Sequence, residues 1–393
     1  MRILFFISLL GHGRGGHVHS LYHISNEISY KHNVGIVSIG PGDNSTISKH
    51  PQYIEHLNFN GFDLLDLRNR ISNITNQFRP DIFHFFDTNS YNIVTLIFSR
   101  KKLKTVVNKC GGPNPRRYPY VNNLVLFSME NKIWFENNKH FKNTNITLIP
   151  NRVTQITPIY SGVDKPKGYF SFVKIARIGA AYKDSILDSI NLIDTLYKKN
   201  HSLKIKLFVI GVIEDQKILE DILDNDNVKN GTVIFLTEDK YTRVASRMLY
   251  LADAVIATGR GVMEAASLAL PVLTIDSNSN TPVLLTDNTF NDAFKTNFSA
   301  RNTFPDLEPS DNLGSIEKLI TDDIFYKKNS AYIKDIFDEY FNVKKASFNY
   351  EEIYKKVEAH KYPFLSLNII YTFRSIYHFY RNSSKKIDKN CNV

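Results

Sequence analysis

Residues 1–16 read MRILFFISLLGHGRGG, a short apolar run that continues directly into a glycine-rich loop. The run Arg2–Leu10 has the length of a buried strand, and the helical pattern His17–Tyr30 follows the loop. A charge before a short apolar run is also typical of a signal peptide, but no small-x-small cleavage site follows, so we favour the strand. A strand that enters a helix through a glycine loop indicates a parallel α/β sheet.

Both halves of the chain alternate short apolar runs with helical patterns, which indicates two α/β domains. A length of 393 residues fits this, because one core usually takes about 100–200 residues. Further strands are predicted at Asn33–Ile39, Ile82–Phe86, Thr105–Asn108, Leu124–Phe127, Ile146–Ile149, Phe170–Ala176, Lys204–Ile210, Thr232–Leu236, Ala254–Ala257 and Val272–Ile275.

Prolines and glycines are concentrated at residues 150–168, and this composition predicts the connection between the domains. We expect an N-terminal Rossmann-like domain over residues 1–158 and a C-terminal one over residues 169–340. The helical pattern of residues 341–360 can return to the first domain. Residues 361–393 form a tail rich in aromatic and basic side chains.

The formal net charge of +10 favours an anionic partner: nucleic acid, a phospholipid surface or a phosphorylated substrate. No clear recognition motif for nucleic acid is present, so we expect no nucleic-acid partner. The tail residues 363–381, and the basic run Arg100–Lys104 after the apolar residues 93–98, suit contact with an anionic membrane. A helix packed on the protein's own surface is the alternative for the tail.

The two cysteines, Cys110 and Cys391, have no partner at metal-ligand or redox-motif spacing, which fits a reducing cytoplasm. No stretch reaches the roughly 20 apolar residues of a membrane-spanning helix. We therefore expect a cytoplasmic protein, attached at most peripherally to the inner face of the cell membrane.

Two loops at predicted strand ends suit a phosphate ligand. The glycine loop, with Gly15 and Gly16 before the first helix, allows close backbone approach, although glycine needed only for a tight turn is an equal alternative. Arg177 and Lys183 stand between a strand and a helix, where two cations can clamp a diphosphate. An arginine and a lysine at this spacing are, however, often only solvent-exposed charges that bind no ligand.

A third loop follows the strand Ala254–Ala257 and opens a helix, so its backbone N–H groups can receive an anion. The glutamate in its first turns can accept from ribose hydroxyls or act as a helix-dipole partner. The residues concerned are Gly261, Val262, Met263 and Glu264.

His84 and Asp87 stand at the end of the strand Ile82–Phe86, so both can reach the edge where ligands of open α/β sheets bind. An equal alternative is that His84 only forms a hydrogen bond to a backbone group. Cys110 fits a buried small hydrophobe better than a nucleophile, because no activating base can be placed. No Asp-x-Asp lies near a strand end, so we expect no metal site.

The order and spacing of these pieces resemble the retaining GT-B glycosyltransferases known as glycosyl transferases group 1, which build bacterial surface polysaccharides. The resemblance covers roughly residues 1–290. The matching segments are the glycine loop and its helix, Pro80–His84, Phe127-Ser128, Ile149–Val153, Arg177 with Lys183, and Gly261–Ala266 with Pro271-Val272.

The resemblance implies two Rossmann-like domains that face each other across a cleft, with the donor nucleotide on the C-terminal one. It implies diphosphate contacts from Arg177 and Lys183, a ribose contact from Glu264, and a catalytic set of Arg177, Lys183 and His84. Gly15 and Gly16 would face the donor phosphate or the acceptor from the other domain. The acceptor would dock near Lys109, Cys110 and Gly111.

The implied reaction transfers a sugar, with retention, from a UDP- or GDP-type donor to a lipid-linked glycan in polysaccharide, lipopolysaccharide or capsule synthesis. It implies a hexosyltransferase-like enzyme without a cofactor. Two positions depart from the family: Ile256 stands where a glutamate is frequent, and Cys110 where a histidine is frequent. A nucleotide-sugar epimerase, a phosphorylase and a non-catalytic nucleotide-sugar-binding protein are the alternatives.

Overall fold

The computed structural model describes residues 1–11 and 16–390, with the backbone alone for residues 385–390. The chain folds as two compact units, Met1–Asn151 together with Val343–Val393, and Arg152–Asn342. The proline-rich segment after Asn151 therefore belongs to the second unit, and the helical C-terminal region belongs to the first. Gly15 and Cys391 lie outside the described residues.

The strands are β1 (Arg2–Ser8), β2 (Asn33–Ile39), β3 (Tyr53–Leu57), β4 (Ile82–Phe85), β5 (Leu103–Lys109), β6 (Asn123–Leu126), β7 (Asn145–Leu148), β8 (Phe170–Ile175), β9 (Ile205–Ile210), β10 (Val233–Leu236), β11 (Ala254–Ile256), β12 (Val272–Asp276), β13 (Ser279–Leu284) and β14 (Ala359–His360). Short 3₁₀ turns cover Ile47–Lys49, Lys139–Phe141 and Ala245–Leu251, and a π-helical turn covers Phe337–Phe341.

The α-helices are α1 (Gly16–Ser29), α2 (Leu64–Phe78), α3 (Thr88–Ile97), α4 (Met129–Glu136), α5 (Lys183–Lys199), α6 (Gln216–Leu223), α7 (Asp226–Lys229), α8 (Asp239–Thr242), α9 (Arg260–Ala266), α10 (Phe290–Lys295), α11 (Pro309–Thr321), α12 (Asp323–Ile336), α13 (Val343–Lys356) and α14 (Ser366–Asn390).

The sheet of the first unit has the order β3-β2-β1-β4-β5-β6-β7, all parallel, and β14 pairs antiparallel with the start of β5. The central strand β1 is fully buried from Ile3 to Ile7 because helices cover both faces. Ile3, Phe5 and Ile7 share a core with α1 and α13. Leu4 and Phe6 pack on the opposite side with α2, α3 and two side chains of α14.

The sheet of the second unit has the order β10-β9-β8-β11-β12-β13, parallel except for the last pair. One face packs against α5 and α11, and the other against α9, the 3₁₀ turn before β11, and α12. The expected α/β architecture with two Rossmann-like domains is thus confirmed. The sequence reading missed β3, an edge strand with the mixed sequence YIEHL, and β13, which contains a proline.

Candidate functional site

The carboxyl ends of β8 and β11 form the first candidate site. The strand order of the second sheet reverses between these parallel neighbours, where Val173 lies opposite Val255. Loops that leave adjacent strands in opposite directions open a crevice, and ligands of open α/β sheets bind there. The loop after β8 carries Arg177, and the loop after β11 leads into α9.

Arg177 is held at this edge by two neighbours. Its Nη1 donates to Glu214 Oε1 at 2.5 Å, and its Nη2 donates to the Tyr182 hydroxyl at 3.1 Å. The guanidinium carbon also lies 5.0 Å from the centre of the Tyr182 ring. The arginine side chain is nonetheless 54% exposed. A guanidinium that is oriented yet accessible suits phosphate oxygens, which it can bind with two parallel N–H groups.

Two glycines allow the neighbouring loop to bring Glu214 to this place. A methyl group at Gly211 would lie 1.7 Å from the Ala176 carbonyl oxygen, and one at Gly179 would lie 3.0 Å from Glu214 Cβ. The Glu214 backbone N donates to the Ile178 carbonyl at 2.8 Å. The loops after β8 and β9 are therefore fastened together, and their contact fixes the carboxylate that orients the arginine.

Lys183 is the first residue of α5, six positions after Arg177. Its Nζ lies 3.4 Å from Asp221 Oδ2, and the side chain remains 36% exposed. The N-terminus of a helix carries partial positive charge, so this lysine adds a full charge where an anion is already favoured. Both cations of the predicted diphosphate clamp thus lie on one β8–α5 connection, each beside one carboxylate.

Glu264 lies on α9 and is paired with an arginine one turn earlier. Arg260 Nε donates to Glu264 Oε1 at 2.8 Å, and the two side chains are only 22% and 16% exposed. Arg260 Nη1 is buried, and no residue in the described part of the chain accepts from it. A buried donor without a partner costs roughly 1–3 kcal/mol, so a ligand oxygen at this point would be favourable. The sequence reading missed Arg260, although its i,i+4 spacing to Glu264 was a visible signal.

The other predicted donor residues of α9 act in packing. Val262 and Met263 are buried in the core, and the backbone N–H groups of Gly261 and Val262 donate to Thr258 and Gly259 at 3.1 and 3.2 Å. Gly259 has φ +51°, a conformation that favours glycine. The turn is therefore closed by its own hydrogen bonds.

Ile256 is the last residue of β11 and is buried in the core. This position consequently offers no carboxylate.

A second candidate edge lies at the carboxyl ends of β1 and β4, where the order of the first sheet reverses. Asp87 joins the two loops: its Oδ2 accepts from Ser8 N at 2.6 Å, and its Oδ1 accepts from Ser90 N at 2.8 Å to cap α3. Gly16 is exposed with open space around it. Burial lowers the pKa of His17, and the Asp87 carboxylate opposes that effect. The sequence reading did not single out His17, the first side chain after the glycine loop.

The structure places His84, which the sequence predicted as a catalytic residue, in the core of the first unit. The ring is fully buried among aromatic side chains, with Nδ1 2.7 Å from the Tyr354 hydroxyl and Nε2 3.1 Å from Asn108 Oδ1. The Asn108 amide nitrogen donates to Tyr350, so its oxygen faces the ring and accepts from Nε2–H. His84 is thus a core histidine that fastens β4 to α13.

The predicted acceptor-side residues form a tight turn after β5. Lys109 Nζ donates to the Gly111 carbonyl at 2.6 Å and to Asn131 Oδ1 at 2.9 Å. Cys110 is partly buried, and its Sγ donates to the Phe86 carbonyl at 3.4 Å. Gly111 has φ +74°, as a left-handed turn requires. These contacts support the backbone of the loop and tie it to β4.

Neither a metal cluster nor a spanning helix is found in the part of the chain that the structure describes. No group of three or more His, Cys, Asp or Glu side chains there could hold a metal ion. No helix there is long and apolar enough to cross a membrane.

Comparison with solved structures identifies the fold as GT-B. HepE of Anabaena, solved with UDP, superposes with a TM-score of 0.65 at 14% identity, over 91% of this chain and 100% of that chain. A glycosyltransferase from Rickettsia africae ESF-5 gives 0.64 at 16% identity, over 91% and 99%. Sucrose-phosphate synthase from Thermosynechococcus elongatus gives 0.61 at 10% identity, over 91% and 99%. These neighbours are GT-B glycosyltransferases.

The likeness does not extend to sequence. No family model matches the chain, and no curated protein matches it.

Proposed function

We propose that this protein is a glycosyltransferase that moves a sugar from a nucleotide-diphosphate donor to a glycan acceptor. The observation that carries the proposal is the cluster of oriented cations at the strand-order reversal of the second unit. Arg177 and Lys183 share one strand-to-helix connection there, and Arg260 with its buried Nη1 lies on the helix after the adjacent strand. The GT-B fold, and a neighbour solved with UDP-glucose, support the same reaction class.

The chemistry follows from the leaving group. The bond between the anomeric carbon and the β-phosphate oxygen breaks, a bond to the acceptor oxygen forms, and the proton of the acceptor hydroxyl passes to the departing phosphate oxygen. Negative charge therefore grows on the nucleoside diphosphate, where Arg177 and Lys183 can stabilise it. Glu264 would accept from the ribose hydroxyls, and Arg260 would orient it through the 2.8 Å hydrogen bond.

The donor type, the stereochemistry and the acceptor can also be proposed. We propose a UDP- or GDP-type donor, retention at the anomeric carbon and a hexosyl group. We also propose a lipid-linked glycan acceptor in surface polysaccharide, lipopolysaccharide or capsule synthesis. The positive side chains would neutralise the diphosphate, so no further cofactor enters the proposal. The site would operate in the cytoplasm at the inner face of the membrane.

Binding without turnover is the second candidate. Ile256 stands where the resemblance leads one to expect a glutamate, and Cys110 stands where it leads one to expect a histidine. Release of nucleoside diphosphate from radiolabelled UDP- and GDP-sugars, with membrane lipid extract as acceptor, distinguishes the two. The proposal predicts release of one diphosphate together with label in the lipid fraction. A binding protein would be protected from unfolding by one nucleotide sugar but would release no nucleoside diphosphate.

A further inference from the structure

The C-terminal helix α14 turns its polar side chains toward the protein. Asn368 is fully buried, and its side chain makes hydrogen bonds of 3.0 and 2.9 Å to the backbone N and O of Tyr120. Ser375 Oγ accepts from Asn92 at 3.2 Å, and Thr372 lies 3.0 Å from the Tyr362 hydroxyl. These directional contacts fix which face of the helix points inward.

The outward face of α14 carries large apolar side chains as well as the exposed Arg374 and Arg381, whereas a surface helix usually turns its apolar side chains inward. Four of the exposed apolar side chains are spaced three or four residues apart, so they form one stripe. The stripe consists of Ile370 (54% exposed), Phe373 (69%), Tyr377 (56%) and Tyr380 (45%). The preceding Phe364 and the nearby Phe62 are 65% and 68% exposed, and the Phe62 ring lies 5.1 Å from that of Tyr380. A contiguous exposed patch of this kind indicates an interaction surface.

A cationic cavity lies beside this stripe. Its volume is about 690 Å³, and no acidic side chain of the described residues lines it. Arg116 and Arg117 come from the loop after β5, and Arg374 and His378 come from α14. The pKa of His378 is lowered by burial and by the neighbouring arginines, which reflects the positive potential here. Arginine side chains around a cavity bind phosphate oxygens well.

The charges select the partner. The sequence of residues 366–390 contains five cations (Arg374, Arg381, Lys385, Lys386, Lys389) and one acid (Asp388). Arg116 and Arg117 line the same cavity as Arg374. A second copy of this face would place like charges together. An anionic bilayer offers phosphate to the arginines and an apolar interior to the aromatic rings, which prefer headgroup depth.

We propose that α14 docks the protein on an anionic phospholipid bilayer. The stripe Ile370, Phe373, Tyr377 and Tyr380 enters the headgroup layer, and a lipid phosphate occupies the arginine-lined cavity. This inference rests on the proposed function in one respect: a lipid-linked acceptor would require the enzyme to bind a membrane. Docking itself needs no donor, so it is measured separately.

The test is co-sedimentation of the full chain with vesicles of phosphatidylcholine, with and without phosphatidylglycerol. We expect binding only to the anionic vesicles, weakened by salt. The double variant Phe373→Ser with Tyr377→Ser should weaken binding about tenfold or more through lost apolar insertion. Arg117→Gln and Arg374→Gln should each weaken it about fivefold. Phe348→Ser removes an equally exposed ring on α13 and should change nothing.

Three outcomes would overturn the inference. Equal binding to both vesicle types would show that anionic lipid is not required, which contradicts docking on an anionic bilayer. Full displacement by inorganic phosphate at moderate concentration would make the cavity a free-anion site. A dimer in sedimentation velocity that the Phe373 and Tyr377 substitutions dissociate would assign the face to a second copy. Vesicle binding without sugar transfer would leave this inference standing and reject the enzymatic proposal alone.

Discussion

The two units share one architecture, yet the edges where their strand order reverses carry opposite chemistry. Between β8 and β11 the second unit presents Arg177 and Lys183, each partly exposed beside a single carboxylate. Between β1 and β4 the first unit presents Asp87, whose two oxygens are occupied by backbone N–H groups of Ser8 and Ser90. The parallel sheet determines where a ligand can bind, and the loop residues determine which ligand. This difference is why we propose the diphosphate site in the second unit.

The units also differ in what their cores hold. The first unit buries two histidines, His50 and His84, in hydrogen-bonded positions. The second unit buries Lys174 on β8, where loss of solvent lowers the pKa of the ammonium to about 8 while Asp188 opposes that effect. The unfolding free energies of the two units should therefore depend differently on pH.

The largest effect is expected for Arg177→Ala. Loss of a cation that stabilises the leaving diphosphate should lower kcat for sugar transfer about 100- to 1,000-fold. Arg243→Ala is the matched control, because that arginine also pairs with an acid, Asp239, but is 78% exposed. Steady-state release of nucleoside diphosphate measures both variants. Equal activity of the Arg177 variant and wild type would show that this arginine does not contribute to catalysis.

Lys174→Met should stabilise the second unit by about 1–3 kcal/mol at neutral pH, because the folded state no longer carries a buried ammonium. The pKa of Lys174 lies near 8 when folded and at 10.5 when unfolded, so the unfolded chain binds more protons between these values. Wild-type stability should accordingly rise as pH increases from 8 to 10.5. Urea unfolding of wild type and variant across this range measures the difference, which should shrink toward alkaline pH.

His50→Gln should reduce the loss of unfolding free energy that the first unit shows on acidification by about 1 kcal/mol, after allowance for solvent screening. Burial lowers the pKa of His50 from 6.5 to about 4, and Gln52 N donates to its Nδ1 at 3.0 Å, which protonation would prevent. The wild-type contribution is thus complete above pH 6.5 and lost as pH falls toward 4. Unfolding free energies measured over this interval test it. A parallel slope in the variant would assign the acid sensitivity to other groups.

Local pattern predicted much of the fold. The run Arg2–Leu10 was predicted as a buried strand, and this is confirmed over Arg2–Ser8, because burial on both faces requires a continuous apolar segment. The strand β3 was missed because only one of its five side chains is fully buried, so its sequence is mixed. Its place in the sheet depends on pairing with β2, which a single segment does not reveal.

The candidate site was predictable only in part. Arg177 and Lys183 stand on one connection, so sequence position sufficed to bring them together. The partner of Arg177 is Glu214, 37 residues later, and it reaches the arginine through the tight contact at Gly211. The burial of His84 could not be predicted, because its partner Tyr354 lies 270 residues away on α13.

The most direct test of the central claim is calorimetric titration of UDP, GDP and their sugar conjugates into the wild-type protein, Arg177→Ala and Arg243→Ala. The account predicts that one nucleoside diphosphate binds the wild type and the Arg243 variant equally, and the Arg177 variant about 10- to 100-fold more weakly. Binding that Arg177→Ala leaves unchanged, or no binding to the wild type at millimolar nucleotide, would contradict the assignment of a donor site to the second unit.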